Sequence, residues 1–170
     1  MARIPYVESE SAHWLTREIL ARRNNRNIHR MLGHSGPLAD AFVRLATTLR
    51  YECELDAALR EIAILRVGVL SGAEYEVVAH RAHAALAGLT EEQIVAVERG
   101  EYASEMLAPL QRQVLLFTDD IVANVRASDE TFVPLAEALG ARPLVELVVA
   151  IGFYMAACRV LATFDIDLHA

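Results

Sequence analysis

The chain has 170 residues, of which 54% are hydrophobic, and it carries a formal net charge of −7 at pH 7. A chain this acidic lacks the basic face that nucleic acids select, so we expect no nucleic-acid partner. All 16 basic side chains are arginines, which excludes a Schiff-base lysine and a phosphate-loop lysine.

The start and stop signals along the chain predict helix after helix, with no convincing strand pair. The predicted helices cover residues 10–22, 28–33, 38–51, 57–70, a segment ending at 86, a segment ending near 100, 107–125, 129–139 and 143–164. We therefore expect an all-α fold, a single-domain bundle of about eight helices over residues 1–170.

Helix capping supports several of these boundaries. Asp56 is placed to cap the helix that begins at residue 57. The segments Ser71–Glu74 and Thr90–Gln93 both have the spacing of a capping box, in which the first and fourth residues satisfy each other's backbone. Each box predicts the start of a helix.

Location is inferred from the apolar segments and the cysteines. The N-terminus lacks the apolar core of a signal sequence, and Cys53 and Cys158 form no CxxC pair, which is typical of a reduced cytoplasmic protein. The most apolar run, 147–158, is too short to span a bilayer and predicts a buried helix. We therefore expect no membrane partner. The apolar excess of a small chain separately predicts a homo-oligomer.

The helical hairpin around Ser71 and Gly72 holds the candidate catalytic pair. Glu61 lies roughly 10 residues before this turn and His80 roughly 8 after it. At a rise of about 1.5 Å per residue, antiparallel helices place both side chains at a similar height, within about 3–5 Å along the axis. A carboxylate and an imidazole held level on facing helices can move a proton.

The same hairpin resembles a known family. The run LREIAILRV, a small-residue turn, an acidic-aromatic stretch and a His resemble the core of the carboxymuconolactone decarboxylase and alkylhydroperoxidase-D-like superfamily, and the flanking segments extend the resemblance over nearly the whole chain. The peroxidase branch has a Glu, two Cys three residues apart and a His. These positions correspond here to Glu61, Ala73, Glu76 and His80, so the acid and the His are present and both redox sulfurs are absent.

The resemblance implies an alkylhydroperoxidase-D-like fold, a dimer, trimer or hexamer, and catalytic roles for Glu61 and His80. Glu76 would face the pocket as a second acid/base group, or would only complement the positive end of its helix. Tyr75 would donate a hydrogen bond to a substrate oxygen. The structural alternative for Glu61 is an ion pair with Arg60 or Arg66, and His80 can equally be a structural histidine.

Three further residues complete the expected site. Arg66 or Arg81 would hold a substrate carboxylate, and His83 lies on the same helical stripe as His80 and is expected to contact substrate. Glu76, His80 and His83 include metal-ligating types. Residues seven apart on a helix lie about 10 Å apart along the axis, however, too far for all three to meet one ion. We expect no metal and no cofactor.

Three functions follow for the chain. The first is a decarboxylase-like or lyase-like enzyme that uses acid/base chemistry on a small acidic or lactone-like molecule. The second, a thiol peroxidase, is disfavoured because a peroxidatic and a resolving thiol are needed. The third is a non-catalytic oligomer that binds a ligand or a partner. The enzyme predicts a pocket that reaches Glu61 and His80, whereas the binding protein predicts a closed ion pair.

Overall fold

The structure, a computed structural model, describes residues 1–168. Within these residues no β-strand is present, and the regular elements are one 3₁₀ turn, Ser9–Ser11, and nine α-helices. The helices are α1 (Trp14–Arg22), α2 (Asn27–Leu32), α3 (Gly36–Tyr51), α4 (Ala57–Leu70), α5 (Glu74–Leu86), α6 (Glu91–Arg99), α7 (Pro109–Asn124), α8 (Asp129–Leu139) and α9 (Ala141–Thr163). The all-α prediction is confirmed.

Most helix boundaries agree with the capping signals. The Asp56 side chain accepts a hydrogen bond from Leu59 N, and α4 has the predicted bounds. Thr90 and Gln93 form the predicted capping box, with each side chain accepting from the other's backbone amide. The first predicted helix begins later than expected, because the 3₁₀ turn precedes it.

The capping box at Ser71–Glu74 is wrong. Ser71 ends α4 by donating its amide to Val67 O at 3.0 Å, and Gly72 follows with a φ of +62°, which favours glycine. Ala73 is the N-cap of α5, and no side chain caps that end. A helix stop therefore occupies the residues that resemble a helix start.

Residues 1–52 and 160–170 make up one compact unit, described here to residue 168. Its core comprises Ile19, Leu32 and Ala39, with the partly buried hydrophobics Ile28, Phe42, Val43 and Val160 packed against them. At its edge, Arg3 N donates to Phe164 O at 2.9 Å.

Residues Cys53–Arg159 form the second compact unit, which surrounds α4. This helix packs against α5, α6 and α7, and every residue from Leu59 to Gly68 is buried. A helix that is buried on all sides must also bury its polar residues, and each of those needs a partner. The expectation of one domain over 1–170 stays a prediction, and its last two residues lie outside the described chain.

Helix α9 runs from Ala141 to Thr163, close to the predicted bounds 143–164, and contains the apolar run 147–158. It has 23 residues, and its length and composition alone would allow it to cross a membrane. In its most apolar window 44% of the residues are buried. The 12 residues expected to be too few for a bilayer are therefore only part of this helix.

Two mid-helix glycines provide a matched test of the packing. Gly152→Ala is expected to raise the free energy of unfolding by about 0.5–1 kcal/mol, because alanine favours a helix and nothing lies within 4 Å of its added Cβ. Gly68→Ala is expected to gain less, since its Cβ lies 3.3 Å from Glu76 Cβ. Urea unfolding measures both variants. An equal gain at the two positions would contradict close packing at Gly68.

Candidate active site in the α4–α5 hairpin

The hairpin brings Glu61 on α4 to His80 on α5. Glu61 Oε2 lies 2.7 Å from His80 Nδ1, and both side chains are buried. The first turn of α5 approaches α4 closely at Gly68, where any side chain would meet Glu76 and Val77. The absence of a side chain at Gly68 therefore allows the close spacing of the two helices.

A second carboxylate contacts the opposite side of the His80 ring. Glu76 Oε2 lies 3.2 Å from His80 Nε2, one helical turn earlier on α5. A neutral imidazole has one donor and one acceptor nitrogen, whereas an imidazolium donates from both. Carboxylates at both nitrogens therefore favour the doubly protonated ring.

The pKa of His80 follows from two opposing influences. Burial is the largest single one and lowers the pKa, because it disfavours the charged ring. Hydrogen bonds and charges from Glu61 and Glu76 act together in the opposite direction, and the pKa of His80 lies above its ordinary value. The cluster is arranged to hold a proton on the imidazole.

Arg60 lies on the other side of Glu61. Its Nε and Nη2 atoms are 3.4 and 3.5 Å from Glu61 Oε1, longer than the usual spacing of a charge-assisted hydrogen bond. The structural alternative for Glu61, an ion pair with Arg60, is thus present alongside the contact to His80. Glu61 uses one oxygen for each partner.

Two aromatic rings contact His80. The Tyr154 ring lies edge-on with centroids 4.9 Å apart, and the His83 ring lies 5.2 Å away. The position of His83 beside His80 agrees with its helical spacing. Tyr154 was missed by the sequence analysis, because its approach to α5 depends on how α9 packs and no local pattern reports it.

The remaining predicted site residues lie in different surroundings. Tyr75 is half-buried in the first turn of α5, and its substrate contact stays a prediction. Arg66 donates from Nε and Nη2 to the two carboxylate oxygens of Asp119, both at 2.7 Å, and from Nη1 to Glu98 O at 2.9 Å. Arg81 pairs with Glu98 and with Glu91. Neither arginine is offered to a substrate by these contacts.

The two thiols are free. Cys158 is buried, and burial followed by the charge of Glu76 raises its pKa to about 11. Burial also raises the pKa of Cys53. Such thiols are poor sources of thiolate near neutral pH.

In the described part of the chain, neither a metal-binding cluster nor the cavity beside Val43 involves the Glu61–His80 pair. Across residues 1–168 no group of three or more His, Cys, Asp or Glu side chains is arranged to hold a metal ion. A cavity of about 480 Å³ lies in the first unit and is lined by residues that include Leu15, Val43 and Thr47. Its lining does not include Glu61 or His80, and the pocket expected at that pair stays a prediction.

Residues 36–116 match the carboxymuconolactone decarboxylase family, and this stretch contains Glu61, Glu76 and His80. The match shows that this stretch of the chain is similar to that family. In the resemblance described above, Ala73 and Glu76 correspond to the two redox cysteines of the peroxidase branch. The contact of Glu76 with His80 is made from one of these two positions.

Solved structures share the fold. The alkylhydroperoxidase AhpD core of an uncharacterised peroxidase-related protein from Ralstonia eutropha JMP134 has a TM-score of 0.83 at 19% identity, covering 99% of this chain and 92% of that one. A peroxidase-related protein from Silicibacter sp. TM1040 has a TM-score of 0.78 at 16% identity, covering 91% and 83%. A protein of unknown function from Agrobacterium tumefaciens has a TM-score of 0.73 at 21% identity, covering 81% and 94%. No curated protein is significantly similar in sequence.

The raised pKa of His80 links stability to pH in a defined direction. A group whose pKa is higher when folded adds stability that is complete below its unfolded pKa, about 6.5 for histidine. That stability is lost as the pH rises through the folded pKa. The stabilising effect of the His80 cluster is therefore an effect of neutral and mildly acidic pH.

Glu61→Gln tests this coupling. The change removes the carboxylate nearest His80, so the pKa of His80 is expected to fall, and the loss of stability with rising pH is expected to weaken. NMR titration of the His80 ring and urea unfolding between about pH 6 and 9 measure the two effects. Glu74→Gln is the matched control, since Glu74 is exposed in the same turn as Glu76. An unchanged pKa of His80 in Glu61→Gln would contradict the conclusion that Glu61 raises it.

Proposed function

We propose that the chain is an enzyme that carries out cofactor-independent acid/base chemistry on a small acidic or lactone-like molecule, in a decarboxylation, lyase or isomerase reaction. The observation that supports it is the His80 imidazole held between Glu61 and Glu76, at 2.7 and 3.2 Å. Imidazole is the usual side chain for proton transfer near neutral pH. The match of residues 36–116 to the carboxymuconolactone decarboxylase family supports this proposal, since those residues contain the site.

Each residue has a distinct role in the proposal. Glu61 holds His80 through Nδ1 and stabilises the positive charge of the ring. His80 delivers the proton from Nε2 to substrate carbon when CO₂ leaves, because the electron pair of the broken C–C bond remains on that carbon. Glu76, beside Nε2, takes a proton from solvent water and passes it to the ring, which replaces the proton given to carbon. For an isomerisation the same groups remove a proton and return it elsewhere.

The setting of the enzyme is part of the proposal. We place it in the cytoplasm as a homo-oligomer whose partner is a small-molecule substrate. The apolar excess supports an oligomer, and Val145, Val148 and Val149 expose apolar surface on α9. The negative net charge is unfavourable for a nucleic-acid partner.

One observation favours a second candidate, a non-catalytic oligomer that binds a ligand or a partner. Glu61 is 1% exposed and His80 is 5% exposed, as expected for a closed structural ion pair. In that case the cluster stabilises the hairpin and transfers no proton to a substrate.

The acid/base proposal is tested by turnover of γ-carboxymuconolactone, followed by ultraviolet absorbance. His80→Ala is expected to lower kcat by roughly 10²-fold or more, the usual contribution of a general acid. His34→Ala is the matched control, because His34 is exposed in the first unit. Circular dichroism establishes that both variants fold. Turnover that survives unchanged in a folded His80→Ala would contradict the role of His80, and no turnover in the wild type would remove this substrate.

Thiol peroxidase activity is the remaining candidate, since two structural neighbours are called peroxidase-related. The raised pKa of both thiols opposes it. We expect the wild type and the Cys53→Ser/Cys158→Ser double variant to reduce cumene hydroperoxide at the same background rate, measured with a thiol reductant. A wild-type rate well above background that the double variant loses would overturn this expectation.

A further inference from the structure

Two arginines on α4 have equal burial and unequal pairing. Arg60 and Arg66 are each 8% exposed, and they lie six residues apart on the same helix. A guanidinium carries five N–H donors, and when it is buried those donors need acceptors. Among the described residues, Arg66 has several acceptors, whereas Arg60 has one.

The guanidinium donors of Arg66 have acceptors within the protein. It makes two 2.7 Å contacts to Asp119, which form a bidentate pair, and its Nη1 atom donates to the carbonyl oxygens of Val97 and Glu98. Its guanidinium joins α4 to the end of α6 and to α7. Little donor capacity is left for a substrate carboxylate.

Arg60 makes fewer and longer contacts within the protein. Two of its nitrogens point to a single oxygen, Glu61 Oε1, at 3.4 and 3.5 Å. The other oxygen of Glu61 makes the shorter contact, to His80. Glu61 is the acceptor that the described residues offer to the Arg60 side chain, which is 10% exposed. No buried nitrogen of Arg60 lacks a partner among these residues, so the donors that do not face Glu61 are accessible from solvent.

The guanidinium of Arg60 lies next to Glu61, a member of the candidate catalytic pair. One carboxylate, Glu61, separates its guanidinium from the His80 ring, with an oxygen toward each. Of the four charged side chains in the cluster, Arg60 is the most accessible at 10%, against 1% for Glu61, 6% for His80 and 7% for Glu76. An anion bound to Arg60 would thus lie beside Glu61, the carboxylate that holds His80 through Nδ1.

We propose that Arg60 is the specificity-determining residue of the site and binds a carboxylate of the substrate through its guanidinium fork. The inference rests on the proposed function and narrows it to small carboxylic acids. It also moves the role that the sequence suggested for Arg66 or Arg81 to a different arginine. A planar fork suits a carboxylate because two parallel N–H···O bonds form at once.

The test measures binding without turnover. Calorimetric titration compares 5-oxotetrahydrofuran-2-carboxylate, a stable lactone acid, with its uncharged methyl ester. The wild type is expected to bind the acid about tenfold to a hundredfold more tightly than the ester, as for a hydrogen bond to a charged group. Arg60→Gln is expected to abolish this preference. Arg99→Gln, at an exposed arginine of α6, is expected to retain it.

Arg60→Lys keeps the test valid if Arg60→Gln fails to fold. It preserves the charge beside Glu61 and loses the fork, so a reduced preference for the acid is expected. Equal binding of acid and ester by the wild type, binding of neither, or an unchanged preference in a folded Arg60 variant would each overturn the proposal.

Failure of the proposed function gives a different result. His80→Ala is expected to lose turnover and keep the preference for the acid over the ester. If the wild type turns over no substrate but shows a preference that depends on Arg60, the acid/base role fails and the carboxylate site stands. If turnover depends on His80 while Arg60→Gln retains the preference, the acid/base role stands and the role of Arg60 fails.

Discussion

A carboxylate buried among aliphatic side chains needs a partner of opposite charge, and the 2.7 Å contact of Glu61 with His80 provides it. The hairpin is organised around this requirement. Helix α4 is buried over ten consecutive residues from Leu59 to Gly68, and Glu61 and Arg66 take partners from the helices packed on it, His80 of α5 and Asp119 of α7. The position of α5 is therefore tied to a polar contact as well as to apolar packing.

The contact of Glu61 with His80 also leaves the second ring nitrogen to Glu76. With Glu61 at one nitrogen, the opposite nitrogen of His80 faces Glu76, and the ring is held by two carboxylates from different turns of the hairpin. Peroxide reduction by a thiol mechanism would need two thiols, and Ala73 and Glu76 provide none. The proposed function instead uses Glu76 as an acid/base group, on a backbone that resembles that of peroxidase-related proteins.

Sequence reasoning predicted the parts of the fold that depend on local signals. The bounds of α4, the Thr90–Gln93 capping box and the facing positions of Glu61 and His80 all follow from spacing within one hairpin. The start of α5 was misjudged because Ser71 can cap a following helix or end the preceding one, and Gly72 with positive φ decides for the latter.

Long-range contacts were not visible in the sequence. Arg66 pairs with Asp119, 53 residues away on α7, and no local pattern connects them. The expected substrate contact of Arg66 stays a prediction. No local pattern connects Tyr154 of α9 with His80 either. Contacts of this kind depend on how distant helices pack, which hydrophobic periodicity describes only in part.

The start of α5 has a consequence for the lifetime of the cluster. Ala73 gives this helix end no side-chain acceptor, and an absent cap lowers the stability of a helix end by roughly 1 kcal/mol. Glu76 lies in that first turn, so fraying of the turn removes one carboxylate from His80 while Glu61 on α4 stays in place. The ring then exchanges between a doubly and a singly paired environment, with populations given by the helix–coil equilibrium of one uncapped turn.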